Sequence, residues 1–145
     1  MKQLLAIFVA IFALCGCKGP MDGGWEAPKL DKNELHFAAE GGEQTVTILN
    51  YSQWWIAYGY EGTEFVDGIL RYKNFVRATS SNEDVITYDL LDGGWYHAVV
   101  PNGGYSNQII ITTDENDSDS PHQATIEMSV GDAGSYINIY QATQK

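Results

Sequence analysis

Cysteine is nearly missing from this chain. The 145 residues include two, Cys15 and Cys17, both close to the amino terminus. That excludes a disulfide framework or a thiolate metal site further along. Basic residues are scarce as well: 8 Lys and Arg stand against 19 Asp and Glu, a formal net charge of −11. An acidic chain of this kind repels nucleic acid and anionic lipid headgroups, which excludes nucleic acid as a partner. No apolar run is long enough to cross a membrane; Leu4–Leu14 has the length of a signal-peptide core instead. No segment keeps a helical period between a start and a stop signal. Catalytic patterns are missing too. His36, His97 and His122 do not stand at metal-ligand spacing from Cys, Asp or Glu. There is no Gly-x-Ser-x-Gly elbow and no phosphate loop. The acidic stretch Asp114-Glu115-Asn116-Asp117-Ser118-Asp119 lacks the Gly and distal Glu of a calcium loop and reads as solvated. No enzyme activity, cofactor or metal is expected. Paired carboxylates brought together from distant positions are invisible at this level.

What the chain has is β-structure. Ala124–Ala142 sets two alternating runs either side of Gly131-Asp132-Ala133-Gly134, the pattern of a β-hairpin. Ile126, Met128 and Val130 share one face, and Ile137 and Ile139 share a face of the next strand. Further strands are expected at Leu35–Ala39, Gln44–Asn50, Trp54–Tyr58, Trp95–Val100 and Gln108–Thr113, the last suited by its three isoleucines to burial on both faces. Short strands at regular spacing with Gly-rich turns predict an all-β antiparallel sandwich or barrel.

The amino terminus is built differently. Met1-Lys2, the apolar run and Leu14-Cys15-Gly16-Cys17 together resemble the signal and lipobox of bacterial lipoproteins. The resemblance implies removal of residues 1–16, diacylglycerol on the Cys17 sulfur and an acyl group on its new amine. Two or three acyl chains make a stable membrane anchor. Residues 17–30, punctuated by Gly and Pro, then form a tether in which Trp25 either caps the domain or sits free. Residues 31–145 are one domain.

Within that domain the order of small motifs resembles the BACON family, an immunoglobulin-like module of Bacteroidota lipoproteins and glycoside hydrolases. Leu35-x-Phe37 precedes Gly41-Gly42. Thr45-Val46-Thr47-Ile48 leads to Asn50 and Trp55-Ile56, and Trp95-Tyr96 leads through Val99-Val100-Pro101 to Gly103-Gly104. Asn116 precedes Ala124-Thr125-Ile126, and Ile137-x-Ile139-x-Gln141 closes the domain. The resemblance implies an immunoglobulin-like antiparallel β-sandwich with Trp55 and Trp95 pointing inward. Trp54 then faces solvent or lies beneath an insertion. Two departures stand out: His122 occupies a position where the family has Arg, and residues 59–94 are much longer than the family's link. We read that stretch as an inserted hairpin or edge extension, strand-like at Asp67–Ala78 and Asp84–Leu91, with a short helix near Tyr60–Phe65.

The resemblance also sets the functional expectation: a non-catalytic outer-membrane lipoprotein, on the periplasmic side or at the cell surface, that binds carbohydrate or mucin-type glycoprotein. The alternative is a structural or protein-interaction module of a cell-envelope assembly. Sugar recognition needs aromatic faces with a few polar groups beside them. Trp54, Tyr58, Tyr60, Tyr96 and Tyr105 are the aromatic candidates. Arg71, Lys73 and Arg77 are the basic ones, expected on one strand face opposite Tyr72, so that Tyr72 and Val76 pack beside Trp54 and the basic face points outward. As a bland alternative, nearby Glu83, Asp84 and Asp89 would neutralise a blunted edge strand.

Overall fold

A computed structural model describes residues 24–144. Residues 1–16, Cys17 and the first part of the tether lie outside the described residues. The described residues form eleven strands: β1 (Glu34–Phe37), β2 (Gly42–Thr47), β3 (Trp55–Tyr60), β4 (Thr63–Val66), β5 (Ile69–Tyr72), β6 (Val76–Arg77), β7 (Leu90–Asp92), β8 (Tyr96–Val99), β9 (Gln108–Thr113), β10 (His122–Ser129) and β11 (Gly134–Gln141). A five-stranded sheet in the order β1-β11-β10-β3-β6 packs on a four-stranded sheet in the order β2-β9-β8-β7. This is an immunoglobulin-like β-sandwich with an inserted hairpin. All pairings are antiparallel except β1 with β11.

Alternation puts Leu35, Phe37, Ile126, Met128, Ile137 and Ile139 on the inner face of one sheet, and Val46, Ala98, Ile109 and Ile111 on that of the other. The β10–β11 hairpin expected from the sequence forms, and it sits in the middle of its sheet. Ile110 is only half-buried, so β9 is covered fully on one face, not two. The tether docks as it reaches the domain. Lys29 N–H donates to Asn50 Oδ1 at 2.7 Å, and Leu30 bridges to Ile48. Trp25 is exposed.

Both adjacent aromatic pairs are reversed from the expected orientation. Trp54 is 3% exposed and in the core, while Trp55 is half-buried on the outer face. The reason is where the strand begins: Trp54 precedes β3, and its Nε1 donates to Ser106 O at 2.9 Å from inside the sandwich. With Ile56 inward, alternation then turns Trp55 outward. Likewise Tyr96 is fully buried beside Ala98, and Trp95 lies at the sheet margin. Two glycines make room for the Tyr96 ring. A Cβ on Gly93 would lie 2.2 Å from a Tyr96 ring carbon, and one on Gly59 would lie 2.6 Å from its hydroxyl. Trp95 instead donates its Nε1 to Glu61 at 2.8 Å and rests on His122, with ring centroids 4.8 Å apart.

The insertion has no helix near Tyr60–Phe65. Thr63–Val66 is strand β4, because Asp67-Gly68, both with positive φ, make a two-residue turn that returns the chain as β5. The Asp67–Ala78 run is split into β5 and β6 by Asn74, whose φ is 47°. Asp84–Leu91 is mostly loop, and only its end joins β7. Backbone pairing of Glu61 with Lys73 continues the β3–β6 ladder into β4–β5, so the insertion is an arm that prolongs one ribbon of the sheet.

Candidate functional site: an aromatic groove on the outer sheet face

Strand β3 supplies the outer face of its sheet with Trp55, Tyr58 and Tyr60. A bulge opposite Glu127 and Met128 absorbs Ala57, so Tyr58 and Tyr60 stay outward after Ile56 points in. The Tyr58 hydroxyl donates to the Glu127 carboxylate on β10. Burial, and then the negative Glu127, pushes that hydroxyl's pKa up, so Tyr58 remains a donor at all ordinary pH. Burial also raises Tyr60. Tyr72 and Phe75 lie over these rings: Tyr60–Tyr72 centroids are 4.5 Å apart and Tyr58–Phe75 centroids 5.2 Å apart. Tyr72 therefore packs on Tyr58 and Tyr60, not beside Trp54.

Next to this cluster runs a groove of about 360 Å³, lined by Trp55, Tyr58, Phe75, Arg77 and Tyr88. Across the Trp55–Tyr88 ridge lies a second groove of about 420 Å³, lined by Gln53, Trp55, Ile86, Thr87, Tyr88 and Tyr105. One wall of both comes from the 79–90 loop, which Asp89 organises. Its buried carboxylate accepts from Ser81 N–H at 2.9 Å, Ser81 Oγ at 2.6 Å and Thr87 Oγ1 at 2.6 Å. Burial disfavours the Asp89 charge, but these bonds outweigh it and hold its pKa below the usual carboxylate value. Asp89 is thus committed to the loop and is not a counter-charge for the basic residues. Ser80 Oγ accepts from Thr87 N–H and Tyr88 N–H, and the carbonyl of Tyr88, a residue with φ 47°, accepts from Ile56 N–H at 3.0 Å. The loop is therefore clamped to β3 with Ile86 and Tyr88 on the outside.

The candidate residues separate accordingly. Tyr58 and Arg77 meet in the first groove, and Tyr105 stands at the mouth of the second. Tyr60 is in the ring cluster. Trp54 and Tyr96 belong to the core, and the Tyr96 hydroxyl has no side-chain or backbone partner. Cys17 lies outside the described residues. The three basic side chains do not share a face. Arg77 is directly across from Tyr58 and so joins the aromatic side, whereas Arg71 lies across from Glu64 on the arm face opposite Tyr72. The left-handed Asn74 between them shifts the alternation. Among the described residues no ion pair involves Arg71, Lys73 or Arg77. Sequence reasoning missed Phe75 and Ile86 and took Trp55 for core. Chemically, the first groove offers ring faces and one free cation, enough to hold a flat, partly apolar ligand with hydroxyl or anionic groups.

No protein-family model matches the chain, and no curated protein matches it. Among solved structures, the chain is similar to an NMR structure of a protein from Bacteroides thetaiotaomicron, at 24% sequence identity and a TM-score of 0.59. The chain shares that fold. The likeness covers 86% of this chain and 93% of the other, so it takes in the whole sandwich rather than one sheet.

Proposed function

We propose that this protein is a non-catalytic, lipid-anchored module of the outer membrane that binds carbohydrate or glycoprotein chains. The observation that supports the reading is the groove with Trp55, Tyr58, Phe75 and Tyr88 around Arg77 on the outer sheet face. Ring faces there can stack on the apolar sides of sugar rings, while Arg77 and the Tyr58 hydroxyl meet hydroxyl or acidic groups. The BACON-like motif order supports the same reading. A glycan array probed with the full chain tests it. Ligands from the array should bind at least about tenfold more weakly to Trp55→Ala, as truncation of a central aromatic anchor usually costs that much. Ligands that bind Trp55→Ala and wild type equally would remove the groove from the proposal. Loss of affinity with added salt, and with Arg77→Ser, marks an acidic sugar; indifference to both marks a neutral one.

The anchor is part of the proposal and has its own test. Cys17→Ala should abolish incorporation of labelled fatty acid and release the protein from the membrane fraction. Unchanged membrane association would refute it.

A second reading, a protein-interaction module, is favoured by one observation: the tip of the inserted arm is apolar and exposed.

A further inference from the structure

The two ends of the sandwich differ in charge, which glycan binding leaves unexplained. The tether enters at one of them. The Tyr51 hydroxyl donates to Glu26 O at 2.6 Å, Asn50 Nδ2 to Ala27 O at 3.1 Å and Ser135 Oγ to Pro28 O at 2.6 Å. The chain is thus fastened to the loop after β2 and to the start of β11, and Trp25 comes just before the first of these bonds. The connection 101–107 lies alongside. Ile48 N–H donates to Asn107 O at 2.7 Å, and Leu49, Tyr51, Asn102 and Tyr105 line one shallow groove of about 630 Å³. Neither 49–53 nor 101–107 contains Asp, Glu, Lys or Arg, in a chain with 19 acids. Both expose apolar groups: Leu49 and Tyr105 are each 64% exposed, and Trp25 is 59% exposed. Patches of this kind mark a surface that something covers.

Charged groups at this end are few. Glu26 is paired with Lys29 at 2.6 Å, and Asp31 Oδ1 accepts from Thr47 N–H at 2.8 Å. Lys32, Asp132 and the pair Glu83 and Asp84 do not line the groove. The opposite end is roughly 25 Å away along the eight residues of β10. Glu40 and Glu43 stand there about the turn from β1 to β2, with Asp92 at the end of β7 and the Asp114–Asp119 loop after β9. The arm leaves from that end too, because Tyr60 at the end of β3 pairs with Thr125 near the start of β10.

We propose that the uncharged end is a membrane contact: Trp25, Leu49 and Tyr105 rest in the headgroup layer of the bilayer that holds the lipid on Cys17. The contact rests on the anchor proposed for Cys17. Residues 17–25 reach at most about 30 Å, so an acylated Cys17 keeps this end beside a bilayer. The tether alone leaves the tilt of the domain open, and the patch selects one. Trp and Tyr favour the membrane–water boundary, where an apolar ring and a polar edge are both accommodated. An uncharged end approaches anionic headgroups without repulsion, while the acidic end is driven away. A soluble partner is a poorer occupant, because it would compete with a bilayer that the tether keeps at hand. The sandwich then stands with its arm outermost and with the Trp55–Arg77 groove facing sideways, open to ligands.

The test uses the chain as the cell makes it, purified in detergent and reconstituted in phosphatidylcholine vesicles that contain nitroxide-labelled lipid. With residues 1–16 removed and Cys17 acylated, an introduced cysteine is the single free thiol. It carries an environment-sensitive fluorophore in Ser52→Cys or Asn107→Cys at the uncharged end, in Ile69→Cys on the arm and in Asp119→Cys at the acidic end, all exposed positions. Emission from the two probes at the uncharged end should shift to the blue and be quenched by the lipid. Emission from the arm and the acidic end should do neither. Adding Trp25→Ser/Leu49→Ser/Tyr105→Ser should abolish the quenching while the protein stays on the vesicles. These side chains are exposed, and an unchanged thermal midpoint confirms that the variant folds. Equal quenching at both ends overturns the proposal, and so does quenching at neither. Quenching that survives the triple variant also overturns it, since the tether alone would then hold the end down. Mass spectrometry of the same sample reads the acyl groups. An acylated chain that is not quenched refutes the contact and leaves the anchor, whereas a chain without acyl groups refutes both.

Discussion

Trp54→Ala is expected to cost about 3–5 kcal/mol of stability, and Trp55→Ala about 1 kcal/mol. The two residues are neighbours of identical chemistry, so the difference measures only their environment. Trp54 is walled by the core and its indole N–H is paired with Ser106 O at 2.9 Å. Truncation leaves a cavity and an unpaired carbonyl together. Trp55 has one face in the groove and loses part of its contact area already in the native state. Since a domain of this kind is held by only about 5–15 kcal/mol in all, Trp54→Ala removes a large share of it. Urea denaturation of both variants, compared at constant m-value, reads the difference. Equal losses, or a larger loss for Trp55, would contradict the placement of β3. The same comparison separates stability from binding, because Trp55→Ala should fold well and lose ligand.

The sequence carried the sandwich because alternation repeats along each strand. Ile126, Met128, Ile137 and Ile139 are placed by period alone, and all four are buried. It did not carry the orientation of Trp54-Trp55 or Trp95-Tyr96. A pair of adjacent large residues fits alternation in either phase, and the phase is set elsewhere: by the Ser106 carbonyl for one pair, and by Gly59 and Gly93 for the other. The insertion was legible as a hairpin, but with its strands placed at Asp67–Ala78 and Asp84–Leu91; neither the turn at Asp67-Gly68 nor Asn74 as the residue that moves Arg77 to the aromatic face was legible. The groove was hidden for a different reason. Its walls come from residues near 55, 75, 88 and 105, brought together by pairing of β3 with β6 and by the Asp89 clasp. No local pattern encodes that meeting.

Asn116→Ala should cost about 2–4 kcal/mol, although the residue lies in a polar loop. Asn116 is fully buried. Its Nδ2 donates to Ser120 O and Ala142 O, each at 3.0 Å, and its Oδ1 accepts from Ser118 N–H at 3.0 Å and Ser118 Oγ at 2.6 Å. Its own N–H donates to Ala39 O at 2.7 Å. One side chain thus fastens the Asp114–Pro121 loop to the segment after β11, beside the end of β1. Gln141 supports the same junction by donating to Asp114 O at 2.6 Å. Alanine leaves the Ala142 carbonyl and the Ser118 amide short of partners, and Ser120 O with only the Ser118 hydroxyl, in a place that water enters poorly. Asn116→Asp sharpens the test. It keeps the acceptor side but turns an oxygen toward the Ser120 and Ala142 carbonyls, where a donor is needed. Burial and those carbonyls disfavour the charge, so the folded-state pKa of the introduced carboxyl should rise above its unfolded value. A raised folded pKa means that protonation favours folding, so the deficit of Asn116→Asp should be full near pH 7 and shrink as pH falls toward the unfolded carboxyl value. The deficit of Asn116→Ala should not change over that range. Thermal unfolding of the two variants and wild type between pH 7 and pH 5 reads both. A loss under about 1 kcal/mol for Asn116→Ala, or parallel pH profiles for the two variants, would mean that the loop is held by its backbone rather than by this amide.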